Sequence, residues 1–292
     1  MEILPESILV HLRQQGIVHP ECVLGQQMSG TTTGKVYAVN LNGEPLYVLK
    51  IDMPEHIGLV ARFLQTYPGL IFPRLHYVDP AYTYLIYGYV KGKANEEKGP
   101  KSEWLSALAE RLINRYERTA SAEGWGWLEE PLFDSWPAFL TRRIVEARDR
   151  IGDLLPEADH LWVMQLPGKI YRSCSPQACL LHGDCGVHNF IFDSGVLRGV
   201  IDPTPMIGPP HYDFLFAFCS SPDDLTMDTL LHAARFLKPS VSPWSDRRML
   251  IGEVLIHLYC RIATCLMHHP ADLAEYLEAW AYWIRLRNGG AT

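Results

Sequence analysis

The sequence has no cysteine framework, no basic footprint and no repeat, and each absence narrows the field. Its 7 cysteines are an odd number without paired spacing, and Cys260 and Cys265 share one apolar helical stretch. That pattern suits a reduced, cytosolic protein rather than a secreted disulfide scaffold. The formal net charge is −7, which argues against a nucleic-acid binder, since such proteins cluster Lys and Arg on one face. It suits a protein that handles small or cationic ligands. No long apolar run is free of charge. The strongest, Met249–Met267, carries Glu253, His257 and Arg261, so a buried helix explains it better than a membrane span. The opening MEILPESILVHLRQQG lacks the basic-then-apolar pattern of a secretory leader, and no secretion is expected. There is no low-complexity tract and no internal repeat.

What is present describes a packed globule. The chain has 292 residues, 48% hydrophobic and 20% charged, enough for one large domain or two modest ones. The first 90 residues read as strands: Glu21–Met28, Lys35–Leu41 and Pro45–Ile51, with Asn42-Gly43 as a hairpin signal. A helix is predicted over Glu55–Tyr67, then short strands over Arg74–Val78 and Thr83–Tyr87. Gly88–Gly99, rich in Gly and Lys, reads as a connector. From Lys101 onward the apolar spacing turns helical, over Ser102–Ala120, Ser135–Ile151, Asp223–Leu237, Arg247–His268 and Ala271–Arg287. One short hairpin, turning at Asp193-Ser194-Gly195, interrupts the helical part. The expected fold is α+β with two lobes, a small β-rich lobe over 1–88 and a larger, mostly helical lobe over 89–292.

The chemistry concentrates in LLHGDCGVHNFIFDSGVLRGVIDP, from Leu180 to Pro203. Asp184 precedes a strand, Asn189 begins it, and Asp202 ends the return strand. A tight hairpin brings its ends to about 5 Å, so Asn189 and Asp202 can face one ion. Two hard oxygen ligands suit Mg²⁺ completed by phosphate oxygens and water. Asp184 then lies where it can accept a proton from an attacking hydroxyl. Other readings compete. The loop can be ordinary solvated chain. His182, Asp184, His188, Asp202 and His211 can be written as a hydrolytic metal site. Cys185 as a nucleophile has no His–carboxylate support, and Cys174, Cys179, His182 and Cys185 lack the paired spacing of a zinc site.

His182-Gly183-Asp184, Asn189 and Ile201-Asp202 resemble the catalytic signature of the aminoglycoside phosphotransferase and choline kinase-like family, small-molecule relatives of the protein kinases. Gly208-Pro209-Pro210 through Asp213 is similar to that family's later Gly-x-Pro…Asp stretch. The resemblance spans roughly Glu21–Phe218. It implies a protein-kinase-like fold, a nucleotide donor (ATP or GTP), Mg²⁺ and transfer of a γ-phosphoryl group to a hydroxyl. Asp184 would be the base, Asn189 and Asp202 the metal ligands, with His182 and Asp213 as structural support. Lys50, in LYVLKID, would orient the phosphates, and SGTTTGKVYAV would cover them through Ser29, Gly30, Thr31, Thr32 and Thr33. That turn is not a Walker loop, because its glycines are one residue too close and Val36 follows the Lys.

Gly88 and Val90, in LIYGYVKG, would offer backbone partners to the base. The family pairs its Lys with a helix Glu. Glu55 is the only acid in the predicted helix and is assigned that role, although it lies too early. The soft likeness of Gly124-Trp125-Gly126-Trp127 to antibiotic-kinase spacers, with the negative charge, points to an aminoglycoside or related antibiotic. Asp272, Glu275 and Glu278 are then the candidate contacts for a cationic acceptor. A nucleotide-binding pseudokinase acting through a partner is the remaining alternative. No nucleic-acid or membrane partner is expected, and oligomeric state is not legible.

Overall fold

Two turns with left-handed backbone set the two hairpins that matter most. Asn42 and Gly43 have φ of 53° and 85°, and Ser194 and Gly195 have 53° and 80°. Positive φ at both central residues is the requirement of a type I′ turn, whose twist matches that of the strands it joins. Asn and Gly tolerate this backbone, and Ser194 adopts it beside Gly195, so each turn closes a tight antiparallel pair. The structure is a computed structural model that describes residues 4–28, 34–94, 96, 98–119, 124–172, 176–241, 244 and 246–289.

The first lobe holds a five-stranded antiparallel sheet. Its strands are β1 (Val23–Met28), β2 (Lys35–Leu41), β3 (Glu44–Ile51), β4 (Leu75–Val78) and β5 (Tyr84–Gly88), in the order β1-β2-β3-β5-β4. Alternation along β3 and β5 buries both faces. Val39, Leu49 and Ile86 meet Ile8, Leu9 and Leu12 of α1 (Pro5–Gln14) on one side. Val48, Leu85 and Tyr87 meet Ile57 and Val60 of α2 (Pro54–Thr66) on the other. Both helices begin with Pro in the first turn, where its missing N–H costs nothing. The sequence reading had not assigned α1. Without it, one sheet face would lie open.

The connector after β5 is not plain loop. Lys93 and Ala94 form β6, which pairs with Phe192 and Ile191 of the second hairpin. This hairpin is β9 (Phe190–Asp193) and β10 (Val196–Val200). A second small sheet joins β7 (Gly126–Trp127), β11 (Met206–Gly208) and β8 (Cys179–Leu181), in the order β7-β11-β8. The helices of the second lobe are α3 (Lys101–Arg111), α4 (Trp136–Ile151), α5 (Glu157–Val163), α6 (Leu166–Ile170), α7 (Pro210–Cys219), α8 (Met227–Ala234), α9 (Arg247–His268) and α10 (Leu273–Arg287). Ser135, Thr226 and Asp246 cap α4, α8 and α9 by accepting a backbone N–H. Helix α9 is long and apolar enough to cross a membrane, but 72% of its apolar window is buried in the fold. It packs against α4, α7 and α10.

Candidate active site

The His182-Gly183-Asp184 turn is built by the backbone and then locked. Gly183 has φ of 80°, and a Cβ there would sit 2.0 Å from the Thr204 carbonyl oxygen. Only glycine allows the turn and the close approach together. His182 is fully buried, hydrogen-bonded through Nε2 to the Ile201 carbonyl at 2.9 Å and stacked on Phe72. Burial lowers its pKa, outweighing the pull of the Asp184 charge, so it braces the loop as a neutral ring. Asp213, at the start of α7, receives the Tyr116 hydroxyl at 2.6 Å and the backbone N–H groups of His182 and Gly183 at 3.0 and 3.2 Å. Burial pushes its carboxyl up to about 7, against these donors.

From that platform Asp184 reaches into the open. Its Oδ2 accepts from His188 Nε2 and from Asn189 Nδ2, both at 3.0 Å. Burial raises its pKa, yet the His188 contact and the Asn189 bond outweigh that and hold the carboxyl below its ordinary value. Asp184 is therefore an ionised acceptor at neutral pH, fixed in one orientation. Asn189 also donates to the Asp184 carbonyl at 2.9 Å. The Ile201 N–H donates to the Asn189 carbonyl at 2.9 Å, so the hairpin returns Asp202 beside Asn189. Asp202 has φ of 56°, a backbone state that Asp visits far more readily than most side chains.

Lys50 joins the lobes. Its ammonium is buried and lies 2.5 Å from Asp202 Oδ1 and 3.2 Å from His56 Nε2. The other nitrogen of His56 meets Glu129 at 2.8 Å. Glu55 does not fill the expected role: it is exposed in the first turn of α2 and is not among the groups at Lys50. Position 55 starts the helix facing solvent, and the next residue points inward. His56 takes the place, backed by a carboxylate from the second lobe. Ser29, Gly30, Thr31, Thr32 and Thr33 lie outside the described residues.

Two cavities meet at this loop. A cleft of about 190 Å³ lies between the lobes, walled by Val36, Val48, Tyr87, Val90, Asn189 and Asp202. Val90 lines it, whereas the Gly88 N–H already donates to the Arg74 carbonyl at 2.8 Å. The Gly88 N–H is thus spent within the lobe rather than offered to a ligand. The second cavity, about 510 Å³, opens on the far side of Asp184. Its walls come from α4, α7, α9 and the β7 turn. They include Arg143, His257 and Arg261, which sequence reasoning had not singled out as site residues. Asp272, Glu275 and Glu278 line neither cavity; Glu275 and Glu278 are exposed on α10. His188 lines both cavities, and only its four-residue spacing from Asp184 hinted at a contact.

The hydrolytic set does not assemble. His211 sits in a buried cluster with Tyr171 and Glu253, away from the Asp184 loop. Among the described residues no group of three or more His, Cys, Asp and Glu is arranged to hold a metal ion. Asn189 and Asp202 offer something different, an amide oxygen and a carboxylate on one cleft wall.

The sequence profile of the phosphotransferase enzyme family matches residues 7–244. The chain belongs to this family. A search of curated proteins finds no match. Among solved structures, this phosphotransferase is similar to choline kinase from Cryptosporidium parvum Iowa II, with a TM-score of 0.59 and 12% identity over 97% of this chain and 95% of that one. It is similar to ADP-bound aminoglycoside phosphotransferase APH(2'')-Ib, with a TM-score of 0.56 and 18% identity over 96% and 99%. It also resembles a thermostable mutant of APH(4)-Ia in ternary complex with ADP and hygromycin B, with a TM-score of 0.56 and 16% identity over 98% and 99%. At such identities the likeness shows the protein-kinase-like fold.

Proposed function

We propose that this phosphotransferase moves the γ-phosphoryl group of a nucleoside triphosphate to a hydroxyl of a small molecule held in the cavity beside Asp184. One observation carries the reading: the Asp184–Asn189 loop is the shared wall of two cavities. The inter-lobe cleft, with Lys50 and Asp202 at 2.5 Å, suits the nucleotide. ADP in two of the similar structures agrees with a nucleotide donor. The larger cavity suits the acceptor, whose hydroxyl would face Asp184.

The division of labour follows from the geometry. Asp184, ionised and aimed by Asn189 and His188, accepts the hydroxyl proton as the oxygen attacks. Lys50 supplies positive charge to the donor phosphates, and Val90 contacts the base. Asn189 and Asp202 fit Mg²⁺, since a hard cation of this kind takes one or two such oxygens and completes its shell with phosphate and water. When bound, Mg²⁺ would neutralise phosphate charge. Phosphoryl transfer asks mainly for positioning and charge neutralisation, and these residues provide both.

Thermal melting with ATP or GTP, each with and without Mg²⁺, tests the donor half. A ligand at 100 times its Kd adds about 2.7 kcal/mol, or a midpoint rise of several degrees for a chain of this size. A Mg²⁺-dependent rise supports the reading and names the donor. No rise with either nucleotide would remove it.

A further inference from the structure

The acceptor cavity has the wrong charge for a polycation. Among the described residues, Asp184 is the only acid on its walls. Two guanidinium groups line it instead. The Arg143 guanidinium lies over the Trp127 ring, 4.6 Å from its centre, and Arg261 donates to the Tyr276 hydroxyl at 3.0 Å. Neither has a carboxylate within ion-pair distance among the described residues. Both are partly buried, so their charge is weakly screened, and the Glu146 and Glu130 carboxylates act on Arg143 only from beyond ion-pair distance. Arg in such a place is built for a planar or tetrahedral anion, which its fork binds through paired N–H groups.

A second feature of the cavity points to a ligand. His257, on α9 one turn before Arg261, is 93% buried, and its Nε2 has no hydrogen-bond partner. Buried polar atoms in native proteins are nearly always paired. His257 lines this cavity, so a bound molecule can complete the bond. Burial takes its pKa down to about 3, so the ring is neutral and is a hydrogen-bonding group rather than a third charge. Leu140, Phe216 and Ile256 supply apolar wall.

We propose that the acceptor is an amphiphilic alcohol bearing one anionic group, a carboxylate or a phosphate, which Arg143 and Arg261 hold while His257 bonds a polar atom of its body. This rests on the larger cavity being the acceptor site. It replaces the aminoglycoside expectation, because a polyamine would meet two unpaired cations and gain only Asp184. The apolar walls take the acceptor's hydrocarbon part, and the hydroxyl is left at Asp184.

Matched probes test it. Ligand-observed NMR on the full chain with ADP would compare 4-(hydroxymethyl)benzoate, its methyl ester, 4-(hydroxymethyl)phenyl phosphate and 4-(aminomethyl)benzyl alcohol. At least one anionic probe should bind at least tenfold more tightly than the ester and the amine, and the tighter of the two anions names the group. Arg261→Met should remove that preference, and Arg261→Lys should restore part of it. Circular dichroism confirms that each variant folds. Equal or tighter binding of the amine or the ester would overturn the proposal. So would binding of no probe, or an anion preference that survives Arg261→Met. A nucleotide melting shift measured alongside separates the two failures: a shift without anion preference defeats only this inference, whereas no shift defeats the phosphotransferase reading.

Discussion

The cleft and the proposed acceptor cavity share one loop but are made in opposite ways. The cleft side uses short-range geometry: Asp184, Asn189 and Asp202 lie within 19 residues, and one type I′ hairpin brings them together. The acceptor cavity is assembled from Trp127, Arg143, Phe216, His257 and Arg261, drawn from four elements that pack only after the lobe has formed. The groups proposed for phosphoryl transfer fit into one hairpin and the loop before it. In the proposed reading, recognition of the acceptor is spread across helix faces. The two sides also differ in charge. The cleft pairs its cation, Lys50, with Asp202, whereas the cavity leaves Arg143 and Arg261 without carboxylate partners among the described residues.

The strongest way to break the comparison is to remove the shared group. Asp184→Asn should leave nucleotide binding intact and lower kcat by about 10²–10⁴-fold, the usual contribution of a positioned base. Coupled ADP release measures it, and retained turnover would assign the proton elsewhere. Next is Gly183→Ala, which tests whether the loop is fixed by backbone alone. The new methyl would meet the Thr204 carbonyl oxygen at 2.0 Å on a φ of 80°. Left-handed backbone alone costs roughly 1–2 kcal/mol, and the clash adds to it. Stability should fall by about 2 kcal/mol or more in urea unfolding, with kcat falling as well. An unchanged midpoint would mean that the loop can shift.

The same contrast explains what could be read from the sequence. Strands β2 and β3, the Asn42-Gly43 turn and helix α9 were legible, because alternation, a type I′ dipeptide and helical spacing are local signals. The Asp184, Asn189 and Asp202 cluster was legible for the same reason. Glu55 failed because only packing decides which side of a helix's first turn faces Lys50; that turn buries His56 partly and leaves Glu55 in solvent. Asp272, Glu275 and Glu278 failed because negative net charge says nothing about where the charge sits. Arg143 and Arg261 each read as one more helix residue, and only the crossing of α4 and α9 places them at one cavity.

A third test asks whether the acceptor side is also held by its own buried network. Glu253 sits on α9 one turn before His257. Its carboxyl contacts the Tyr171 hydroxyl, which lies 2.9 Å from His211 Nε2. A hydroxyl has one proton to give. With its proton on Nε2, a neutral His211 donates to the Tyr171 oxygen, and Tyr171 donates to Glu253. Burial agrees, pushing Glu253 up to about 7 and His211 down to about 3. The sign then follows. Below the ordinary carboxyl value of 4.5 both folded and unfolded states are protonated; between there and 7 the unfolded state ionises first, so stability falls as pH rises. Glu253→Gln keeps the acceptor oxygen and cannot ionise. Relative to the parent, its stability should rise between pH 4.5 and 8 by an amount on the order of 3 kcal/mol. A constant gap between the two curves would show Glu253 ionised throughout.

The smallest effect lies on the cleft side and sharpens the contrast in how each side holds its cations. With the His56 proton on Nδ1, that nitrogen donates to Glu129 at 2.8 Å and Nε2 accepts from Lys50. Glu129 therefore acts on Lys50 at one remove, and the pair is partly exposed. Exposed ion pairs contribute about 0.2–1 kcal/mol, so Glu129→Gln should raise the nucleotide KM by less than about fivefold and leave kcat nearly unchanged. Lys50→Met removes the cation itself and should cost far more. If Glu129→Gln matched Lys50→Met, the helix carboxylate expected from the sequence would have its counterpart in Glu129, reached through a histidine from the opposite lobe. A small effect instead leaves Asp202 as the group that fixes Lys50, and the cleft is then held by the same hairpin that carries the rest of its chemistry.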